Sequence, residues 1–434
     1  MSVLSLKRPT GAGALGRDCD LAWALTGRWF ATVAVMTQLT EQQPAGVDRL
    51  PRHLPALDGL RGLAIAGVLL FHTGLVSGGF LGVDLFFVLS GFLITSLLLR
   101  EARTTGSVGL VSFWGRRVRR LVPALATMLV TVTLVVWGTA SPDLVRTTLS
   151  DGPWVQANLV NWHLIAESAA YWDRFGPGRV FEHLWSIAVE EQFYLAWPPV
   201  VVAVAAFGRR LDRRVGLVAA LVSVASLVAM IALTGPGDPT RVYTGTDTRA
   251  FSLLLGALAA TEGMRRALQA IPVHWVSAIV AVLLVVMGAG WVSIDGVSAP
   301  WLFTGGLFAH SLASAALIGL CARDSGSAVV GALARRPLEW LGSISYSLYL
   351  WHWPVIVLLG GPAGWARAAL VCAVSVGLAA VSKYAVEDPI RFRAGWARGR
   401  RGAVAFVVLM IALALLWIAL PAPAVPTVDV TDLD

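Results

Sequence analysis

Apolar runs long enough to cross a bilayer recur along this chain from about residue 59 to residue 420. An α-helix rises about 1.5 Å per residue, so one crossing takes roughly 20 apolar residues. The pattern predicts eleven spans, at 59–77, 80–99, 121–140, 184–207, 215–233, 249–263, 273–293, 301–321, 341–360, 365–386 and 403–420, the sixth being the shortest. The expected fold is an all-α, polytopic transmembrane helical bundle of about ten core helices plus an eleventh C-terminal helix. Residues 1–53 differ from the rest. Their apolar patch, Leu21–Val35, is broken by Gly27 and Arg28, and no convincing small-residue cleavage site follows. They read as a disordered cytoplasmic tail, with Met36 as an alternative start. The chain thus divides into a tail over 1–53, a transmembrane domain over 54–393, and an extra helix with a short extracytoplasmic tail over 394–434. There is no soluble domain and no internal repeat.

Charge orients the spans. The arginine-rich connections are "REARTTGSVGLVSFWGRRVRR", "GRRLDRR", "GMRRAL", "ARDSGSAVVGALARRP" and "EDPIRFRAGWARGRRG", after spans two, four, six, eight and ten. The alternate loops are short or acidic, with Asp143, Asp151, Glu167, Asp173, Glu182, Asp238, Asp247 and Asp295. Basic loops stay cytoplasmic, so the N-terminus is expected inside, in a cytoplasmic membrane crossed many times. The long outer connection, about 141–183, would cover an outward-facing site.

Composition agrees. The chain is 56% hydrophobic and 14% charged, where soluble chains carry about 25% charged residues. Its net charge of +8 is almost all arginine, with Lys7 and Lys383 the only lysines. Those arginines sit between apolar runs, as membrane anchors, so no nucleic-acid partner is implied. Cys19, Cys321 and Cys372 show neither disulfide nor metal-ligand spacing, and no metal is expected.

The candidate chemistry lies in polar residues inside the spans. In "LDGLRGLAIAGVLLFH", Arg61 and His72 are eleven residues apart, which returns them to within about 20° of one helix face after roughly 16 Å of rise. Ionisable groups within a span cost about 2.5 kcal/mol or more and normally face a bundle interior or a wet cavity. Each also has a plain reading, Arg61 as a snorkelling anchor and His72 as a packing residue. Asp84 follows on the next span, across a short hairpin from His72. A carboxylate there fixes an imidazole tautomer and raises its basicity, making His72 a general base; the rival reading is a helix cap. Ser90 and Gly91 favour close helix packing. Arg117 and Arg120, at i and i+3, share a face that suits phosphate forks, with Arg116 beside them; the rival is anchoring. In "EHLWSIAVEEQFYLAWP", Glu190 and Tyr194 lie at i and i+4, and Arg249 at the start of span six is placed to salt-bridge a glutamate. "SYSLYLWHWP" puts His352 and two tryptophans on span nine, as an interface belt or as an aromatic wall. Glu387 ends span ten near arginines, where an ion pair is the plain reading.

These elements, in order, resemble the acyltransferase-3 family of membrane acyltransferases. The matching stretches are the Arg61–His72 segment, "GVDLFFVLSGFLIT", "RRVRRLVPAL", "HLWSIAVEEQFYLAWP", "TRAFSLLLGAL", "SYSLYLWHWP" and "VEDPIR", covering about residues 54–393. The resemblance implies transfer of an acyl group, often acetyl, from cytoplasmic acyl-CoA to a hydroxyl of an extracytoplasmic glycan or glycosylated acceptor. By position it gives paired functional roles to His72 and Arg61, an Arg-x-x-Arg element to Arg117 and Arg120, and a terminal glutamate to Glu387. The residues' own chemistry adds Asp84 and Glu190 to the expected catalytic set, sets Arg116 with Arg117, Arg120 and Glu387 toward the acyl-CoA, and sets Trp185, Tyr194, Arg249 and His352 toward the acceptor. The expected partners are the lipid bilayer, acyl-CoA, the glycan acceptor and a second copy of the chain. The eleventh span resembles the one that leads, in some members, to an extracytoplasmic hydrolase-like domain, which is expected to be missing here. Two rival classes remain, a proton-coupled secondary transporter and a non-catalytic partner of glycan export; neither inverted repeats nor paired broken helices favour the transporter.

Overall fold

A computed structural model describes residues 54–169, 171–172, 178–208, 210–235, 237–296, 298–323, 326–361 and 364–424. The tail over 1–53 and the last ten residues lie outside the described part, as does Asp173. Among the described residues the regular structure is helical, with no strand. The principal helices are α1 (Pro55–His72), α2 (Gly82–Thr105), α3 (Leu110–Thr139), α4 (Pro142–Gln156), α5 (Val160–Ala166), α6 (Trp185–Ala206), α7 (Leu211–Leu233), α8 (Thr246–Ala259), α9 (Val273–Ser293), α10 (Gly306–Ala322), α11 (Arg336–Ser343), α12 (Ser345–Leu359), α13 (Trp365–Val381) and α14 (Gly399–Ala419). Each of the eleven expected spans has a helix. Eight are long and apolar enough to cross a membrane, and the chain is a multi-pass membrane protein. Helices α8, α10 and α12 are shorter, with 14, 17 and 15 residues, and α8 and α12 are largely buried among the longer ones.

The helices start and stop where their sequence dictates. Proline opens α1 and α4, where its missing N–H costs nothing. Thr73 ends α1 by turning its hydroxyl back to Leu69 O at 3.0 Å. Past α13 the chain runs on through π-helical turns over Ser382–Glu387 and Pro389–Arg393. A π-turn widens the helix by one residue per turn, and here it carries Lys383, Glu387 and Arg391 as a local ion-pair group, with Glu387 3.6 Å from Lys383 and 3.7 Å from Arg391.

Glycine contacts set how the central helices cross. A Cβ on Gly91 of α2 would fall 1.8 Å from Leu253 O of α8, and one on Gly256 of α8 would fall 2.0 Å from Val88 O of α2. The two backbones therefore touch at both positions, which only residues lacking a side chain permit. Helices α1 and α11 use the same device at Gly342, whose added Cβ would meet Asp58 O at 1.8 Å. These contacts bring α1, α2, α8 and α12 around one buried polar interior.

Outside the eight spans, the connection from α4 to α6 is tied by charge. Arg179 donates to Asp151 at 2.7 Å and to Glu167, while His163 Nε2 stands 3.2 Å from Asp151. Burial pushes the Asp151 carboxyl up to about 6, with Arg179 and His163 acting to lower it. Trp353 Nε1 donates to Arg179 O at 2.7 Å, so this connection also fixes a ring of α12.

Gly91→Val should destabilise the bundle by about 3 kcal/mol or more, because overpacking here must force the backbones of α2 and α8 apart. Gly138→Ala, where an added Cβ meets nothing within 4 Å, should leave thermal unfolding in detergent unchanged or slightly raised. Arg179→Gln should cost about 2 kcal/mol, less than a fully buried pair because Arg179 touches solvent. The Asp151 value lies above the ordinary 3.8, so the folded state holds that proton more tightly than the unfolded one. Its contribution is full below about pH 4 and lost as pH rises through about 6. The deficit of the Gln variant should therefore be largest above pH 6 and shrink toward pH 4 in melts taken across that range.

Candidate active site

Among the described residues, α12 joins two polar clusters within the bundle. The first surrounds a cavity of about 70 Å³ whose lining includes Arg61, Arg117 and Arg120 with Ser90, Glu190 and Tyr346. Arg61 comes from α1, the other two arginines from one face of α3. The i, i+3 spacing in "RRVRR" does what helical geometry requires and turns both guanidiniums inward. Arg117 lies over the rings of Phe113 and Tyr194, 5.7 and 5.5 Å from their centroids. Arg61 pairs with Asp58 at 3.4 Å, and Arg120 Nε is buried without a hydrogen-bond partner among the described residues. Among the described residues, Glu190 is the one carboxylate of the lining. It accepts from Ser90 at 3.1 Å and from Tyr194 at 2.9 Å. Three guanidiniums facing one carboxylate leave the cavity attractive to a polyanion.

Arg116 is not brought there. It points to Glu101 on α2, 3.2 Å away, as an exposed ion pair. One residue of helical rotation, 100°, separates its face from that of Arg117. Glu387 belongs to the ion-pair group on the π-turns and does not line the cavity.

The second cluster is built on histidines at the far end of α1. His72 is partly exposed. Its Nδ1 is 3.1 Å from His352 Nε2, and its Nε2 is 3.4 Å from the Tyr171 hydroxyl. His352 Nδ1 is 2.7 Å from Tyr349 O. A carbonyl only accepts, so that nitrogen of His352 carries a proton and its Nε2 accepts. His72 then donates from Nδ1, which leaves its Nε2 lone pair free toward Tyr171. Trp353 stands against His72 with ring centroids 4.9 Å apart. Trp185, Tyr171 and Tyr243 form an aromatic group beside it, with Trp185 4.9 Å from Tyr243 and 5.9 Å from Tyr171.

Tyr349 and Ser186 link the clusters. Both line the arginine cavity. Ser186 donates to the Tyr349 hydroxyl at 2.7 Å, which donates to His183 O at 2.8 Å. The Tyr349 ring is 5.2 Å from that of His352 and 5.5 Å from that of His183. Polar side chains thus run from the guanidiniums to His72.

Two expected pairings are corrected. Asp84 does not orient His72, and Arg249 bridges neither Glu190 nor Glu191. Instead Arg249 donates to Asp84 at 2.7 Å, with Ser252 and Ser311 donating to the same oxygen at 3.1 Å each. Both charged residues are fully buried, and Arg249 lies over Tyr243 at 4.9 Å. The glycine contacts between α2 and α8 explain this. They turn the Asp84 face of α2 toward α8 and α10. The partner that orients His72 is His352, expected on the acceptor side. Tyr349 shares its helix face, three residues before His352, a spacing visible in "SYSLYLWHWP". Tyr171 had no signal, since it sits in an irregular connection.

Comparison with known proteins adds a family. Residues 54–384 match the acyltransferase domain. A putative peptidoglycan O-acetyltransferase of Bacillus subtilis is 38% identical over 358 residues, 78% of this chain and 55% of that protein. A peptidoglycan O-acetyltransferase of Listeria monocytogenes is 35% identical over 356 residues, 78% of this chain and 56% of that protein. An O-acetyltransferase of Staphylococcus aureus is 38% identical over 322 residues, 71% of this chain and 51% of that protein. This chain spans about half the length of these curated relatives. No solved structure matches.

Arg249→Met should strand the Asp84 carboxylate in the bundle and cost about 3–5 kcal/mol. The yield of monodisperse protein on size exclusion should fall sharply. Adding Asp84→Asn should restore some of it, because no buried charge is then left unpaired.

Proposed function

The chain belongs to the acyltransferase-domain family, and from that premise we propose that it is a membrane O-acetyltransferase. The donor is acyl-CoA on the cytoplasmic side, where the arginine-rich loops and the N-terminus lie, and the acceptor is a hydroxyl of a cell-wall glycan outside. The observation that carries this reading is the 3.1 Å contact between His72 Nδ1 and His352 Nε2, with Tyr349 placed against His352 and in the lining of the arginine cavity. A base so prepared, one helix span away from a positive cavity, suits acyl transfer from a phosphate-bearing carrier. The glycan class comes from the names of the relatives.

On this reading Arg117 and Arg120 hold donor phosphates by charge-assisted hydrogen bonds. Arg61 adds a third cation at the cavity, on nearly the same helix face as His72 and roughly 16 Å along it, a distance suited to an extended thioester arm. The acceptor hydroxyl takes the place near His72 Nε2 that Tyr171 marks. His72 removes its proton, the oxygen attacks the thioester carbonyl, the C–O bond forms and the C–S bond breaks. The proton then passes from His72 to the departing thiolate. The proton on His72 Nδ1 stays shared with His352, as the orienting partner of a catalytic imidazole requires. Trp353 and Trp185 wall the acceptor. Glu190, held by Ser90 and Tyr194, balances the guanidiniums so that the empty cavity is not three bare cations.

The test is mass spectrometry of cell-wall fragments from cells with and without the protein, together with acyl transfer by the purified protein in vesicles. His72→Ala should lower transfer about 10²–10⁴-fold at normal protein level. Retained transfer in that variant would sink the base assignment, and lost solute uptake with normal acetylation would point to a transporter. His352→Ala should lower the rate less and shift the pH profile, because His72 keeps a ring lone pair but loses the partner that fixes it on Nε2. Arg117→Gln with Arg120→Gln should raise KM for acyl-CoA by about tenfold or more, each charged hydrogen bond being worth about 1.5–3 kcal/mol, with a smaller change in kcat.

A further inference from the structure

Helix α14 is tied to the rest of the protein along its second half. Only Leu413 and Trp417 of its residues are buried. Trp417 Nε1 donates to Gln156 at 2.8 Å, Gln156 donates to Met410 O at 2.8 Å, and Trp137 donates to Pro421 O at 3.3 Å. Alongside residues 402–412, α14 and α3 leave between them a groove of about 690 Å³. Val122, Ala126 and Val130 of α3 face Ala405, Leu409 and Ala412 of α14 across it. Its α3 residues are distinct from those that line the site described above.

The mouth of the groove carries one cation. Arg119 lines it and, among the described residues, makes a hydrogen bond only to the Gly115 carbonyl, at 3.3 Å. Among the described residues no carboxylate lines the groove. Trp396 lies there half exposed, as indoles do at a bilayer interface. An apolar slot inside the bilayer, with a cation at one end only, matches one kind of molecule: a hydrocarbon chain carrying an anionic headgroup. A neutral lipid would fill the slot and leave Arg119 unanswered, and a second copy of this chain would bring more arginine to the mouth.

We propose that the groove between α3 and α14 is a binding site for one anionic glycerophospholipid, its acyl chain between the helices and its phosphate at Arg119. The lipid completes the packing of α14, which the protein alone leaves open alongside residues 402–412.

The full chain is purified in mild detergent, stripped of lipid, and reconstituted in vesicles of equal phosphatidylglycerol and phosphatidylcholine. It is then re-extracted, and retained lipid is counted by native mass spectrometry. The expected result is one phosphatidylglycerol per protein, enriched over phosphatidylcholine. One arginine near an anionic headgroup contributes about fivefold, so Arg119→Gln should cut the enrichment about fivefold without changing elution on size exclusion. Ala405→Phe, which fills the slot and keeps every charge, should remove the retained lipid. Equal retention of the two lipids, no lipid retained by the unmodified protein, or a dimer in place of the lipid would each overturn the proposal.

Discussion

Asp84 and Arg249 meet at 2.7 Å with neither side chain reaching solvent. Removing two such charges from water costs several kcal/mol each, and their attraction offsets this only when geometry and further hydrogen bonds cooperate. Ser252 and Ser311 supply two such bonds, both to the oxygen that Arg249 holds, and the ring of Tyr243 lies under the guanidinium. The pair can exist only where α2, α8 and α10 converge, so it fixes their mutual rotation. The glycine contacts at Gly91 and Gly256 fix their separation. With rotation and separation set, the polar faces of α1, α6 and α12 have one place to go, the interior.

Much of this was legible in the chain. Span positions followed from hydropathy because a bilayer leaves backbone polar groups no choice but helix. The shared face of Arg61 and His72 followed from 3.6 residues per turn, as did that of Arg117 and Arg120. The pairings were harder. A short hairpin shows that α1 and α2 are neighbours and is silent on which faces they present. Asp84 was therefore given to His72, although backbone contacts on the other side of α2 give it to Arg249. Arg116 differs from Arg117 by one step along the chain, yet that step moves it from the cavity to the surface. Tyr171 comes from irregular backbone, where neither period nor motif marks a residue.

The histidine cluster carries a simple chemical economy. An imidazole next to a carboxylate gains basicity, whereas an imidazole next to a neutral imidazole gains direction without a new charge in an apolar slab. His352, fixed by the Tyr349 carbonyl, gives His72 a defined tautomer at little electrostatic cost. The arginine cavity, by contrast, concentrates charge, and Glu190 with its two hydroxyl donors moderates it.

The Trp353 indole bonds to the Arg179 carbonyl, and Arg179 is clamped by Asp151 and Glu167 on the connection between α4 and α6. The ring beside His72 is thereby registered against a segment outside the long spans, so a change at Arg179 reaches the interior through one indole without altering any residue of α12.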